Sequence, residues 1–238
     1  NFLFTCAFFL FGTSITAQTI CISTTNSSLV IDAPTGGELK HLYYGSKLTE
    51  VDLKNITYTS NTNLSGYPTY GMNCPTESAL SVKHADGNMS TQMEVINVST
   101  DKKEQTIITT VHLKDKVYPF FVDIYYKAYQ DVDIIETWTE ISHNEKKPIT
   151  LNQFASAYLP IRRGNVWLTS LYGSWANEGK VCQEPLEPGM KIIKNKDGVR
   201  NSHTAHAEII FSLDGKPEEN RGRAIGAALC YTGNYKLR

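Results

Sequence analysis

The dominant period along this chain is two. Ile107, Thr109, Val111 and Leu113 alternate with Ile108, Thr110 and His112, the pattern of a strand with one face buried and the other wet. Val122, Ile124, Tyr126 and Ala128 repeat it against Asp123, Tyr125 and Lys127. Ile135, Thr137, Thr139 and Ile141 repeat it against Ile134, Glu136, Trp138 and Glu140. β-Branched and aromatic residues crowd these runs, as a pleated, half-buried surface favours. Polar connections at Lys114-Asp115-Lys116 and at 130–133 separate the runs, and 143–148 is a longer one before a strand from Ile149 to Phe154. Asp86-Gly87-Asn88 predicts a hairpin turn, because Asp-Gly accepts positive φ cheaply. No convincing helix, no βαβ rhythm and no internal repeat appears. The expectation is an all-β fold, a large antiparallel β-sandwich with few or no helices.

Three stretches break the alternation. Residues 57–75 are rich in Asn, Thr, Ser, Gly and Pro and predict a long exposed loop, its three tyrosines setting it apart from a disordered linker. Residues 184–207 form a second irregular region, with a turn at Glu187-Pro188-Gly189 and two histidines near its end. The stretch 170–186, SLYGSWANEGKVCQEPL, sets Tyr172, Trp175 and Glu178 between Gly173 and Gly179. It reads as a rigid, aromatic-bearing loop hung between strands.

Composition narrows the classes. The 23 basic and 24 acidic residues leave a formal charge of −1, and no Lys/Arg cluster offers a nucleic-acid surface. The apolar run 2–11, FLFTCAFFLF, is too short to span a bilayer and is followed by small and polar residues. Residues 1–17 therefore read as a signal peptide lacking its basic start, with cleavage after Ala17 and export of the remainder. Residues 18–238 would then form one large β-domain. Cys6 lies inside the presumed signal, and Cys21, Cys74, Cys182 and Cys230 remain. Their wide spacings fit no zinc motif; they permit disulfides in an exported chain and equally permit buried thiols. His203 and His206 lack a nearby third ligand. Asp133, Glu136 and Glu140 read as carboxylates sharing one strand face, a pattern common on solvated strands.

Several short motifs, taken in order, resemble the N-terminal domain of family 36 glycoside hydrolases, the α-galactosidase family. Gly37-Glu38-Leu39-Lys40-His41-Leu42-Tyr43-Tyr44-Gly45 resembles an early strand ending in an LYYG-like turn. Ile134-Ile135-Glu136-Thr137-Trp138 is similar to a VIERW-type strand, and KPITLNQFASA from Lys147 to Ala157 continues the match. Leu171-Tyr172-Gly173-Ser174-Trp175-Ala176-Asn177-Glu178 resembles an LxGxWxxE segment, followed by Glu184-Pro185-Leu186 and Gly189. Leu229-Cys230-Tyr231-Thr232-Gly233-Asn234-Tyr235 is similar to a strand end of the LVYSGNF type. The resemblance implies a β-supersandwich placed before a (β/α)8 catalytic barrel, in a retaining exo-glycosidase. Its two aspartates would stand about 5 Å apart across the anomeric carbon, on a barrel this segment does not contain. No residue here is expected to be catalytic, and neither metal nor organic cofactor is implied.

Tyr70-Gly71-Met72-Asn73-Cys74-Pro75-Thr76-Glu77-Ser78-Ala79 aligns with a family loop of the form YGxGDFREPA. The resemblance implies that this loop approaches a pocket rim, which makes Tyr70, Asn73, Cys74 and Thr76 candidate substrate contacts. The family's acidic position is Cys74 and its Arg position is Thr76, and both lose charge-assisted hydrogen bonding to sugar hydroxyls. A loop that merely packs is the alternative. Tyr172 and Trp175 would either stack on a sugar face or form an interdomain seam. The implied partners are α-galactoside oligosaccharides, the barrel in cis and a homo-oligomer, with no nucleic acid and no membrane span after signal cleavage. The late start and the end directly after an apparent strand suggest a fragment of a longer exported enzyme. The rival expectation is a free-standing secreted β-sandwich that binds carbohydrate or protein.

Overall fold

In a computed structural model, residues 18–56, 64–72, 76–161, 164–200 and 204–238 are described. The presumed signal peptide, Asn73, Cys74 and His203 lie outside them. The chain divides into two compact units, the first ending at Pro160 and the second running from Ile161 to Arg238.

The first unit begins with β1 (Thr19–Ser23), β2 (Ser27–Asp32) and β3 (Lys40–Ser46), a three-stranded antiparallel sheet. A short helix α1 (Glu50–Asn55) follows. β4 (Leu80–Lys83) pairs with β9 (Thr150–Phe154), and between them lie β5 (Met93–Lys103), β6 (Thr106–Asp115), β7 (Phe120–Tyr129) and β8 (Ile135–His143). Those four make an antiparallel meander in chain order, the strands that the period of two predicts. On β7 the alternation is complete: Phe120, Val122, Ile124, Tyr126 and Ala128 are buried and their neighbours are half-exposed. Met93, Val95, Val111 and Leu113 join them in a core closed by Ile31, Tyr67, Leu80 and Val82. Burial pushes the Tyr126 phenol above its usual range, so it sits in that core as a neutral ring.

The second unit contains β10 (Trp167–Tyr172), β11 (Lys180–Pro185), β12 (Ile193–Asn195), β13 (Ala205–Ser212), β14 (Ala224–Ala228) and β15 (Tyr235–Leu237). Its larger sheet has the order β11-β10-β13-β14, and β12 pairs with β15. Val166, Leu168, Ala207 and Tyr235 are its buried apolar residues. Every pairing within both units' sheets is antiparallel, so the all-β sandwich class holds. No helix among the described residues is long and apolar enough to cross a membrane, which says nothing of a β-barrel.

Five local expectations need correction. α1 forms because Thr49 and Asp52 make a capping box: Thr49 Oγ1 accepts from the Asp52 N–H, and the Asp52 carboxylate accepts from the Thr49 N–H. The stretch 57–75 is not simply an exposed loop, because 65–69 is buried and Tyr67 belongs to the core. The Lys114-Asp115-Lys116 connection is displaced. β6 runs on to Asp115, whose buried carboxylate caps the turn by accepting from the N–H groups of Gln92, Val117 and Tyr118. The Asp-Gly turn exists, with Gly87 at φ 93°, yet β4 and β5 pair with other strands and form no hairpin. The aromatic stretch 170–186 is a hairpin of β10 and β11, with only 173–179 as its tip.

Candidate functional site

In the first unit, the loop bearing Tyr70 and Thr76 is pinched at its stem. Thr69 bridges to Leu80, the Tyr70 N–H donates to the Leu80 carbonyl (2.9 Å), and the Ala79 N–H donates to the Pro68 carbonyl (2.7 Å). The Thr91 N–H donates to the Tyr70 carbonyl at 2.9 Å, and Thr69 Oγ1 donates back to the Thr91 carbonyl at 2.5 Å. The chain turns sharply at Gly71, where φ is 97° and an added Cβ would lie 2.7 Å from the Ser90 Cα. Only glycine meets both demands. Tyr70 therefore stands on a rigid base with its side chain half in solvent, 51% exposed.

The other side of the loop is held by β9 and the chain after it. Gln153 Nε2 donates to Glu77 Oε1 at 3.3 Å and to the Ser78 carbonyl. Tyr158 and Thr76 join their hydroxyls at 3.3 Å, and Tyr67 Oη donates to the Ala155 carbonyl at 3.2 Å. Burial pushes the Tyr67 phenol up to about 12 despite the hydrogen bonds that oppose the shift. It remains a neutral donor at any working pH. Two motifs far apart in sequence thus meet as one structure, the 70–79 loop and the NQFASAY segment that braces it. Thr76 already has a hydroxyl partner, which favours a packed role over a free sugar contact at that position. Asn73 and Cys74 lie outside the described residues.

Beneath the loop lies a buried polar cluster that sequence reasoning missed. His84 Nδ1 is 2.8 Å from Glu145 Oε1, and His84 Nε2 is 3.1 Å from Thr91 Oγ1. Glu145 also accepts from the Ala85 N–H at 2.8 Å. A carboxylate can only accept, so Nδ1 carries the proton and Nε2 accepts from Thr91. The His84 ring is stacked on Tyr118 at 3.7 Å and meets Phe120 edge-on. Burial works against the Glu145 charge, but the bonds from His84 and Ala85 outweigh it and hold the carboxyl below its ordinary range. The cluster ties the 84–91 turn to the connection between β8 and β9. No spacing in the sequence announces it, because its members lie some sixty residues apart.

The second unit carries the aromatic pair. Tyr172 ends β10 and is 47% exposed, while Trp175 at the hairpin tip is 82% exposed. The tip is rigid: the Asn177 N–H donates to the Ser174 carbonyl at 3.0 Å, and the Ala176 N–H donates to Glu178 Oε1 at 3.2 Å. Ala176 takes a φ of 58°, and an added Cβ on Gly173 would lie 2.7 Å from the Glu178 Cα. A large apolar ring held this firmly in solvent is what a contact surface needs.

The remaining candidates are committed elsewhere. Asp133 is not on β8; it lies in the preceding turn, accepting from Thr24 Oγ1 and from the backbone and side chain of Asn26. Glu136 pairs with Lys127 at 3.3 Å, and Glu140 accepts from Tyr125 Oη at 3.3 Å. His206 sits on β13 with Nδ1 at 3.7 Å from Glu208. Cys21, Cys182 and Cys230 are free thiols, and Cys230 is exposed rather than buried.

Comparison with known proteins places this geometry. Residues 37–238 match the glycosyl hydrolase family 36 N-terminal domain. The chain is 29% identical over 137 residues to alpha-galactosidase Mel36A of Lactobacillus acidophilus, covering 58% of this chain and 18% of that protein. Against probable alpha-galactosidase G of Aspergillus terreus it is 26% identical over 138 residues, again 58% of this chain and 18% of the relative. Its fold is that of the alpha-galactosidase from Lactobacillus brevis, with a TM-score of 0.79 and 21% identity over 92% of this chain and 34% of that one. An alpha-galactosidase of Geobacillus stearothermophilus in complex with stachyose gives a TM-score of 0.82 at 18% identity, over 92% of this chain and 35% of that one. The matched segment thus spans about a fifth of the curated relatives and about a third of the solved chains. The chain belongs to the glycosyl hydrolase family 36 N-terminal domain family.

Proposed function

We propose that this chain is the N-terminal domain, non-catalytic in glycoside hydrolysis, of an exported α-galactosidase-like hydrolase. The whole enzyme removes terminal α-galactosyl residues by a retaining mechanism, with two aspartates on a barrel outside this segment. The observation that carries the reading is the family match from residue 37 to the end of the chain, joined to relatives named as alpha-galactosidases. One of the structural neighbours is in complex with stachyose, which supports α-galactoside oligosaccharides as the ligand class. Export rests on the composition of residues 1–17.

Within that enzyme, the braced loop at Tyr70 forms part of the pocket rim, and the rigid Trp175 tip with Tyr172 forms an interdomain face. An exposed tyrosine on a pinched stem can cover one side of a sugar at little entropic cost. The loss of an acidic and an arginine position at Cys74 and Thr76 removes two charged contacts, so the rim binds less polar aglycones or holds a different subunit arrangement. The test is kinetic, on the whole gene product with an aryl α-galactoside. Tyr70→Ala should raise KM severalfold with kcat largely kept, the signature of lost uniform binding. An unchanged KM would remove Tyr70 from the pocket, and no hydrolysis by the whole product would remove the enzyme reading itself.

A further inference from the structure

The outer face of the β5–β8 meander carries a second histidine-centred array. Ser99 Oγ lies 3.1 Å from His112 Nε2, and His112 Nδ1 lies 2.8 Å from Asp123 Oδ1. Strand pairing sets these contacts. His112 stands directly opposite Asp123 on β7, and Asn97 stands directly opposite His112 on β5. Ser99 follows Asn97 by two residues on the same face, since Val98 between them packs toward the core. A bulge between Val95 and Asn97 bends β5 just before this point.

The proton positions follow from chemistry. Asp123 only accepts, so Nδ1 carries a proton, and in the neutral ring Nε2 accepts from the Ser99 hydroxyl. A serine whose proton is shared with a carboxylate-oriented imidazole is an activated nucleophile. The Thr91–His84–Glu145 cluster has the same connectivity, but its hydroxyl is fully buried and no substrate can reach it. Ser99 is exposed, and the His112 and Asp123 side chains keep 29% and 34% of their surface in solvent.

We propose that Ser99, His112, Asp123 and Asn97 form an acyl-transfer site for small, unhindered esters. Ser99 Oγ attacks the ester carbonyl as its proton passes to His112 Nε2. The tetrahedral intermediate then expels the alcohol, which takes the proton from Nε2. Water repeats the sequence in reverse: it gives a proton to Nε2, attacks the acyl carbon, and Ser99 leaves with the proton restored. Ester and water become acid and alcohol with no change of oxidation state. Asp123 is a positioning residue that fixes the imidazole tautomer, and Asn97, opposite His112 on the neighbouring strand, is the polar side chain set beside the reacting centre. Ser99 is exposed and its two partners are partly so, which suits activated or sterically simple acyl groups.

The test uses the chain as it stands, with a fluorophosphonate probe and para-nitrophenyl acetate. The wild-type chain should take up one probe on Ser99, found by peptide mass mapping. Ser99→Ala should abolish that label, and His112→Gln should slow it by about 10²-fold. Asp123→Asn should also slow it, with the protein still folded, because the wrong tautomer is then stabilised. All these side chains sit on a solvent face, so circular dichroism and thermal midpoints should match the wild type. Absence of label on Ser99, or labelling undiminished in His112→Gln, overturns the proposal.

Discussion

At the scale of single residues, the His84 cluster makes the sharpest prediction about stability. Glu145→Gln removes the charge from a buried, doubly bonded carboxylate and should cost about 1–3 kcal/mol at neutral pH. The carboxyl is held below its ordinary value in the folded protein. Its contribution is therefore complete above the unfolded carboxylate range, near about pH 4, and fades as the pH falls through the depressed value. Urea unfolding of both proteins should show a gap at pH 7 that narrows in acid; a gap independent of pH would contradict this. Glycines give a second contrast. Gly71 and Gly87 both have positive φ, but a methyl group at Gly71 meets the Ser90 backbone while one at Gly87 meets open space. Gly71→Ala should cost clearly more than Gly87→Ala, which bears only the roughly 1 kcal/mol of strain. The sequence shows the Tyr70-Gly71 pair, but it does not show which backbone lies behind it.

At the scale of elements, the period of two was enough to read β6, β7 and β8. What it could not fix was register. The expected turn at 114–116 sits too early, because Asp115 is drawn inward to satisfy three backbone N–H groups. The true turn brings His112 opposite Asp123, and the 130–134 connection between β7 and β8 brings Tyr125 opposite Trp138. The latter rings stack at 4.6 Å with 2° between their planes. A double-mutant cycle of Tyr125→Ala and Trp138→Ala should return a coupling of about 0.5–1.5 kcal/mol. Additive single effects would show that the stack contributes only burial. Other elements escaped for local reasons. The capping box at Thr49 starts a helix too short to show a 3.6-residue period, and Tyr67 hides a buried segment inside a loop-like composition. The candidate site was legible only as motifs. The contact of Gln153 and Tyr158 with the 76–78 segment depends on the β4–β9 pairing, which no local pattern announces.

At the scale of the whole molecule, two antiparallel units carry their exposed aromatic and loop features on rigid supports, Tyr70 in one and Tyr172 with Trp175 in the other. Asp133, Glu136 and Glu140, the carboxylates that the sequence groups together, are each engaged by structural partners. In the proposed reading, the reaction chemistry belongs to a barrel outside this segment. The decisive measurement compares the 238-residue chain with the whole gene product, at equal molar concentration, on the same aryl α-galactoside. The whole product should release the aglycone while the chain alone stays at the buffer rate. Hydrolysis of the α-galactoside by the chain alone, or its survival with the whole product, would contradict a domain that leaves glycoside hydrolysis to the rest of an α-galactosidase.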